Sequence, residues 1–232
     1  MELEQKLSAF TRACRAGGLD IVHPFNTDWC EPALAITDHF ANLPSRLGLV
    51  VGNSRALWTT MKEVLRTQPN LAGAAHPIDE HVMACVGAAA KLFSVPLHIA
   101  WAHVVVPAPI AIQRIAEQVG LARIAPSHLS IHPSYGPWFA LRAVLVVDVE
   151  GPSGAPLVVS DVCSGCEQPC VDRLNMALAV CDGMPSGVDV RRDWRAWAAV
   201  REVCPEGRPY RYSDQQIEYH YSKNRRSLLA GT

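Results

Sequence analysis

The nine residues Phe139-Ala-Leu-Arg-Ala-Val-Leu-Val-Val147 are apolar apart from a single arginine, Arg142. A run of this length, rich in β-branched residues, reads as a largely buried strand. A guanidinium inside such a strand needs an anionic or acceptor partner. The run is entered through His132-Pro-Ser-Tyr-Gly-Pro-Trp138. A plain hairpin turns through polar residues such as Asn-Gly. Here Pro133 and Pro137 fix φ, Gly136 permits close backbone approach, and Tyr135 and Trp138 offer flat faces. A hairpin is therefore expected, with strands near 128–132 and 139–149. Its turn either caps the core with its aromatics or forms the rigid wall of a ligand pocket.

Upstream, residues 4–17 carry a helical pattern. Leu47–Val51 is a continuous apolar strand, followed by Gly52-Asn53-Ser54 and a helix over 55–66 with Asn53 or Ser54 as N-cap. A loop through Leu71–Pro77 leads to a helix over Ile78–Phe93. A strand over Leu97–Val106, punctuation at Pro107 and Pro109, and a third helix over Ile110–Ala122 follow. Strands alternating with helices, then a hairpin, predict an α+β mixed sandwich. Beyond Glu150 the tail carries Trp194, Trp197, Tyr210, Tyr212, Tyr219 and Tyr221 among many arginines, and Ser213 to Gln216 fits a capping box. Its aliphatic residues are too few for a separate core. One domain over 1–232 is expected, with a core of about 1–150 and a C-terminal wrap of about 151–232.

Lys+Arg 21 against Asp+Glu 22 leaves no basic excess for nucleic acid. The first residues lack a secretory pattern, and no apolar stretch approaches the length of a membrane span. A soluble, cytoplasmic protein is expected. In that compartment the 8 cysteines stay reduced. Cys14, Cys30, Cys85, Cys181 and Cys204 are scattered and read as small apolar side chains. Cys163, Cys166 and Cys170 cluster. Three thiolates at this spacing can face one centre, yet closed zinc and cubane iron–sulfur sites want four ligands. Cys181 is within reach as a fourth, and the alternative is a reduced or vestigial cluster.

Asp79-Glu-His81-Val-Met-Ala84 nearly spells D-x-H-x-x-G, a loop that supplies histidine to cobalt. Its sixth position is Ala and the helical periodicity runs on, so His81 is read as helix surface. Arg191, Arg192, Arg195, Arg201, Arg208, Arg211, Arg225 and Arg226 make the tail basic. This is either a solvated face or, with its tryptophans and tyrosines, a surface for a flat or anionic ligand. No P-loop, G-x-G-x-x-G or G-x-S-x-G occurs.

Taken together, the chain resembles the cobalamin-processing proteins of the cblC type (the MMACHC family). His23-Pro-Phe-Asn-Thr-Asp-Trp29 resembles the family's "PF…W" stretch, and His76-Pro-Ile-Asp-Glu80 its "DPVD" helix start. Ile131 to Arg142 is similar to "IHPRFGGWFAIR", Asp193 to Trp197 to "WRDW", and Tyr212 to Gln216 to "YSEEQ". The resemblance implies a flavin-reductase-like, nitroreductase-related fold that takes cobalamin base-off and removes its upper axial ligand. Cyanide would leave reductively with electrons from reduced flavin (FMN or FAD), and alkyl groups by transfer to glutathione. The lack of a usable D-x-H-x-x-G agrees, since no protein histidine need replace the nucleotide tail on cobalt.

Carried over by position, Ile131, His132, Pro133, Tyr135, Gly136, Pro137, Trp138, Phe139 and Gln118 are implied in cobalamin binding. Arg142, Arg226 and Arg201 are implied in glutathione binding. Pro137 stands where the family has glycine. A homodimer and cobalamin-delivery partners are further implications. Two other readings stand beside this one: a non-catalytic cobalamin carrier, and an iron–sulfur corrinoid reductase related to epoxyqueuosine reductases. In the latter the cysteine motif continues to a Cys-Pro, whereas Leu174-Asn175 occupies the corresponding place here.

Overall fold

The computed structural model describes residues 2–31, 34, 45–105, 109–181 and 184–230. The chain divides into two compact units, Met1–Leu121 with Ala140–Val158, and Ala122–Phe139 with Val159–Thr232.

The first unit holds α1 (Leu3–Ala16), β1 (Ile21–Asn26), β2 (Arg46–Asn53), α2 (Ala56–Thr67), α3 (Pro69–Gly73), α4 (Pro77–Ala90), β3 (Leu97–Trp101), α5 (Ile112–Gln118) and β6 (Ala140–Glu150). The expected elements form where the apolar periodicity placed them. Two are shorter than expected: β3 stops at Trp101 rather than running to Val106, and α5 spans Ile112–Gln118 rather than Ile110–Ala122; Val106 and Pro107 themselves lie outside the described residues. The N-cap of α2 is Arg55, without a side-chain cap bond, rather than the expected Asn53 or Ser54; Ser54 stands one residue earlier, its Oγ accepting the Ala56 N–H at 3.3 Å. Asp20 holds Ser54 in turn by accepting from its N–H and hydroxyl.

The sheet order is β1-β2-β6-β3, with every neighbouring pair antiparallel. The run that opened the sequence reading is thus the interior strand on which β2 and β3 both register. Leu145 stands between Leu49 and Ile99, and Ala143 to Val147 are all buried. Continuous burial is what a strand covered on both faces shows. β1 is held to β2 in part by a cross-strand pair, Phe25 opposite Gly48. A Cβ on Gly48 would lie 2.1 Å from the Phe25 ring, so only glycine lets that ring lie across the neighbouring strand.

The second unit contributes β4 (Arg123–Ile124) and β5 (Ser130–Ile131), followed by α6 (Pro169–Leu178), α7 (Gly187–Arg192), α8 (Trp194–Glu202), α9 (Asp214–Ser222) and α10 (Arg225–Leu229). The expected hairpin does not form. β5 pairs with β4, Ile131 opposite Arg123, while β6 pairs with β2 and β3. Two prolines in the connecting segment remove N–H donors and hold it out of a ladder, so the chain changes partners there. Side chains of the tail build buried clusters. One joins Trp138, Ala198, Tyr212 and Ile217, and another joins Cys170, Ala177 and Val200 with Leu129 and Trp197 at its margin. Ser213 caps α9 by accepting the Gln216 N–H at 3.2 Å.

Candidate functional site

The segment from His132 to Phe139 is built on a tight backbone bridge. His132 and Gly136 exchange N–H···O bonds of 2.9 and 2.8 Å. The His132 ring turns back on the loop, its Nδ1 accepting the Ser134 N–H at 3.0 Å. That fixes the ring's orientation and leaves any ring proton on Nε2. Gly136 sits at φ +56, and a Cβ there would stand 2.2 Å from the Glu206 carbonyl oxygen. The reciprocal holds at Gly207, at φ +66, where a Cβ would stand 2.1 Å from the Tyr135 oxygen. Two loops cross backbone to backbone, and both glycines are needed for it.

Around this crossing the aromatic rings gather. Tyr135 lies 4.8 Å edge-on to Tyr210 and 4.7 Å from the His132 ring, which itself meets Phe139 at 5.5 Å. Pro133 is exposed and His132 and Tyr135 are half-buried, whereas Ile131, Pro137 and Phe139 are buried. Trp138 is 2% exposed, so its ring is a core side chain, packed edge-on against Tyr212 at 5.5 Å. The Arg211 guanidinium lies 5.8 Å from the Trp138 ring, and it is held by Glu202, by Asp214 and by the Tyr212 carbonyl. The face this segment can offer a ligand is therefore His132, Pro133 and Tyr135, with Tyr210 beside them. Trp138 supports it from behind.

Arg142, on β6 in the first unit, has found the partners its strand demanded. Its Nε donates to Asn53 Oδ1 at 2.7 Å, and Asp79 Oδ1 lies 3.7 Å from Nη1. Gln118, at the end of α5, accepts the Glu31 N–H through Oε1 at 2.9 Å. The other two expected arginines belong to the second unit. Arg201, on α8, lies 5.9 Å from the Tyr221 ring, and its Nε is buried without a hydrogen-bond partner. Arg226, on α10, is exposed. The aromatic block thus comes together as a cluster, while the three arginines stand on separate elements.

His81 corrects the sequence reading. It lies on a helix as expected, but is 8% exposed, with Nε2 2.8 Å from the Gly17 carbonyl oxygen. An α1–α4 contact claims this face of the helix, which a solvent-face pattern in an alanine-rich segment does not signal.

Cys163, Cys166 and Cys170 line one small pocket with Leu129, Ile131 and Cys204. Burial first, then Asp161, Cys170 and Cys166, push the Cys163 thiol up, with Arg123 opposing. Burial also raises the Cys204 thiol, opposed by a backbone hydrogen bond from Glu206 and reinforced by Cys170 and Cys163. Cys181 is not in this lining; its Sγ turns to the Ala177 carbonyl. Sequence reasoning passed over Cys204, along with Gly207, Tyr210 and Asp79. The one signal for Cys204 was that it precedes a proline, in the Cys-Pro form sought nearer the cluster.

Compared with known proteins, no family profile matches the sequence, and no curated protein does. Among solved structures, a C. elegans B12-trafficking protein CblC, a human MMACHC homologue, superposes with a TM-score of 0.68. The alignment covers 97% of this chain and 96% of that one at 17% identity. The fold is shared with CblC. An epoxyqueuosine reductase aligns with a TM-score of 0.49 over 94% of this chain and 70% of its own, at 12% identity. The α+β class expected from the sequence holds, and the likeness to CblC runs almost from end to end of both chains.

Proposed function

We propose that this chain binds cobalamin base-off and removes its upper axial ligand. The supporting observation is that the sequence blocks resembling the cblC type occur in order along a chain sharing that fold end to end. Cobalamin is here the substrate. Without a lower donor, its cobalt accepts electrons more readily, so the protein's part is to set coordination number and shape while the corrinoid carries the chemistry. For cyanocobalamin, one electron from a reduced flavin converts Co(III) to Co(II) as cyanide leaves. For an alkylcobalamin, the glutathione thiolate attacks the alkyl carbon, the Co–C electron pair stays on cobalt as Co(I), and a thioether is released. His132, Pro133 and Tyr135 present the rigid face that meets the corrin. Ile131, Gly136, Pro137, Trp138 and Phe139 hold that face in place. Within the second unit, Arg201 and Arg226 supply charge for glutathione carboxylate.

Mixing the protein with cobalamin under anaerobic conditions tests this. A shift of the absorption spectrum to the base-off form is expected, followed by Co(I) bands on adding glutathione to methylcobalamin. An unchanged cobalamin spectrum would remove the proposal. Arg226→Gln is expected to raise the KM for glutathione about tenfold, the loss of one charge-assisted hydrogen bond, with cobalamin binding unaltered.

One observation favours a second reading, a carrier without catalysis. Arg142 is already engaged by Asn53 and Asp79. A base-off shift with no reaction toward any thiol would select the carrier.

A further inference from the structure

The small pocket of the second unit is a cavity of about 20 Å³. Cys163, Cys166, Cys170 and Cys204 all stand in its wall, and the rest of the lining is mostly apolar. Three of these thiols come from one short stretch, and the fourth arrives from the far end of α8. Each outer partner carries the same local device. The Gln168 N–H donates to Cys166 Sγ at 3.4 Å, two residues on, and the Glu206 N–H bonds the Cys204 sulfur, again two residues on. Gly165, at φ +81, turns the chain between Cys163 and Cys166. Cys170 lies in the first turn of α6.

We propose that Cys163, Cys166, Cys170 and Cys204 form a tetrathiolate site for a single soft divalent cation, zinc by its preference for sulfur. Spacing, donor set and cavity size agree. C-x-x-C pairs are common in closed zinc sites, and four sulfurs at about 2.3 Å complete a tetrahedron. A cavity of about 20 Å³ admits roughly one water-sized sphere. That suits one ion better than a cubane of four irons and four sulfides. Among the described residues no three His, Cys, Asp or Glu side chains are already converged on a point. The four sulfurs must swing inward from the wall: Cys163, Cys166 and Cys204 lie in turns or loops and Cys170 at the start of a helix. On binding, the ion replaces four thiol protons, which pass to solvent. The site ties the α8–α9 connection to the segment before α6 and to the start of that helix, and so has a structural role separate from cobalamin chemistry.

Titration of the full chain with cobalt(II) under anaerobic conditions tests the site. A saturating one-to-one complex is expected, with thiolate charge-transfer absorption and the visible bands of tetrahedral cobalt, displaced by zinc. Cys204→Ser should weaken cobalt binding by more than the roughly 10–100-fold that follows loss of a ligand's hydrogen-bond partner. Cys181→Ser should leave it unchanged. Because Cys204→Ser lies in a packed region, the unaltered protein provides an independent readout. Zinc should protect Cys163, Cys166, Cys170 and Cys204 from alkylation, mapped by mass spectrometry, and leave Cys181 reactive. Octahedral or absent cobalt bands, or a Cys204 that alkylates equally with and without zinc, would overturn the site. A brown protein with acid-labile sulfide would overturn the single ion in favour of a cluster.

Discussion

Gly136 and Gly207 show how much a single side chain can decide. Each holds a positive φ and each faces the other loop's backbone at a distance no Cβ tolerates. Gly136→Ala combines the strain of a left-handed alanine with a backbone clash, and is expected to cost about 2–4 kcal/mol, read from chemical denaturation. Gly87 is the counterexample. It lies inside α4 with nothing within 4 Å of a Cβ, so Gly87→Ala should stabilise by up to about 1 kcal/mol. Arg142 was legible as a residue in need of a partner, because a charge in an apolar strand always is. That Asn53 and Asp79 would meet it was not legible, since they lie on β2's end and on α4, far off in sequence.

Among the elements, β1 and β2 depend on one another through Phe25 and Gly48. Gly48→Ala should push the Phe25 ring off the strand and destabilise by about 1–3 kcal/mol, with Leu47 and Leu49 untouched as controls for strand propensity. β1 also carries a pH dependence. His23 Nε2 lies 2.8 Å from the Val119 carbonyl oxygen. Burial lowers its pKa from the usual histidine value, more than the hydrogen bond to Val119 raises it. The unfolded chain therefore binds a proton that the folded chain resists. The stability this confers is fully present above the ordinary histidine pKa of about 6.5 and is lost as pH falls through that value toward the folded one. His23→Gln should flatten this acid limb in denaturation curves taken from pH 7.5 downward. The start of α9 was legible to the residue, because the cap at Ser213 is a local signal. β5 was expected near 128–132, but its pairing was not legible, because β4 is too short to announce itself by period.

At the level of the molecule, the chain passes between its units at Leu121/Ala122, Phe139/Ala140 and Val158/Val159. Neither unit is a continuous piece of sequence, so neither can complete its fold before the other's segments are in hand. We expect one cooperative unfolding transition. Hydrogen exchange should report the same global opening free energy for amides in β6 and in α8; two distinct values would mean that the units unfold separately. Among the described residues no helix is long and apolar enough to cross a membrane.

The sequence by itself determined the helices near 4–17, 55–66 and 78–93 and the strand at 47–51, that the 139–147 run would be buried, that its arginine would need an acceptor, and that three cysteines would sit together. All of these are encoded within a few residues by period, charge or spacing. Only the tertiary structure decided that β6 would run between β2 and β3, that Gly207 would answer Gly136, and that Cys204 would join the other three thiols. The reason is physical. Local patterning specifies which face of an element is buried, whereas the identity of its neighbour is chosen by long-range packing, which no short window of sequence records.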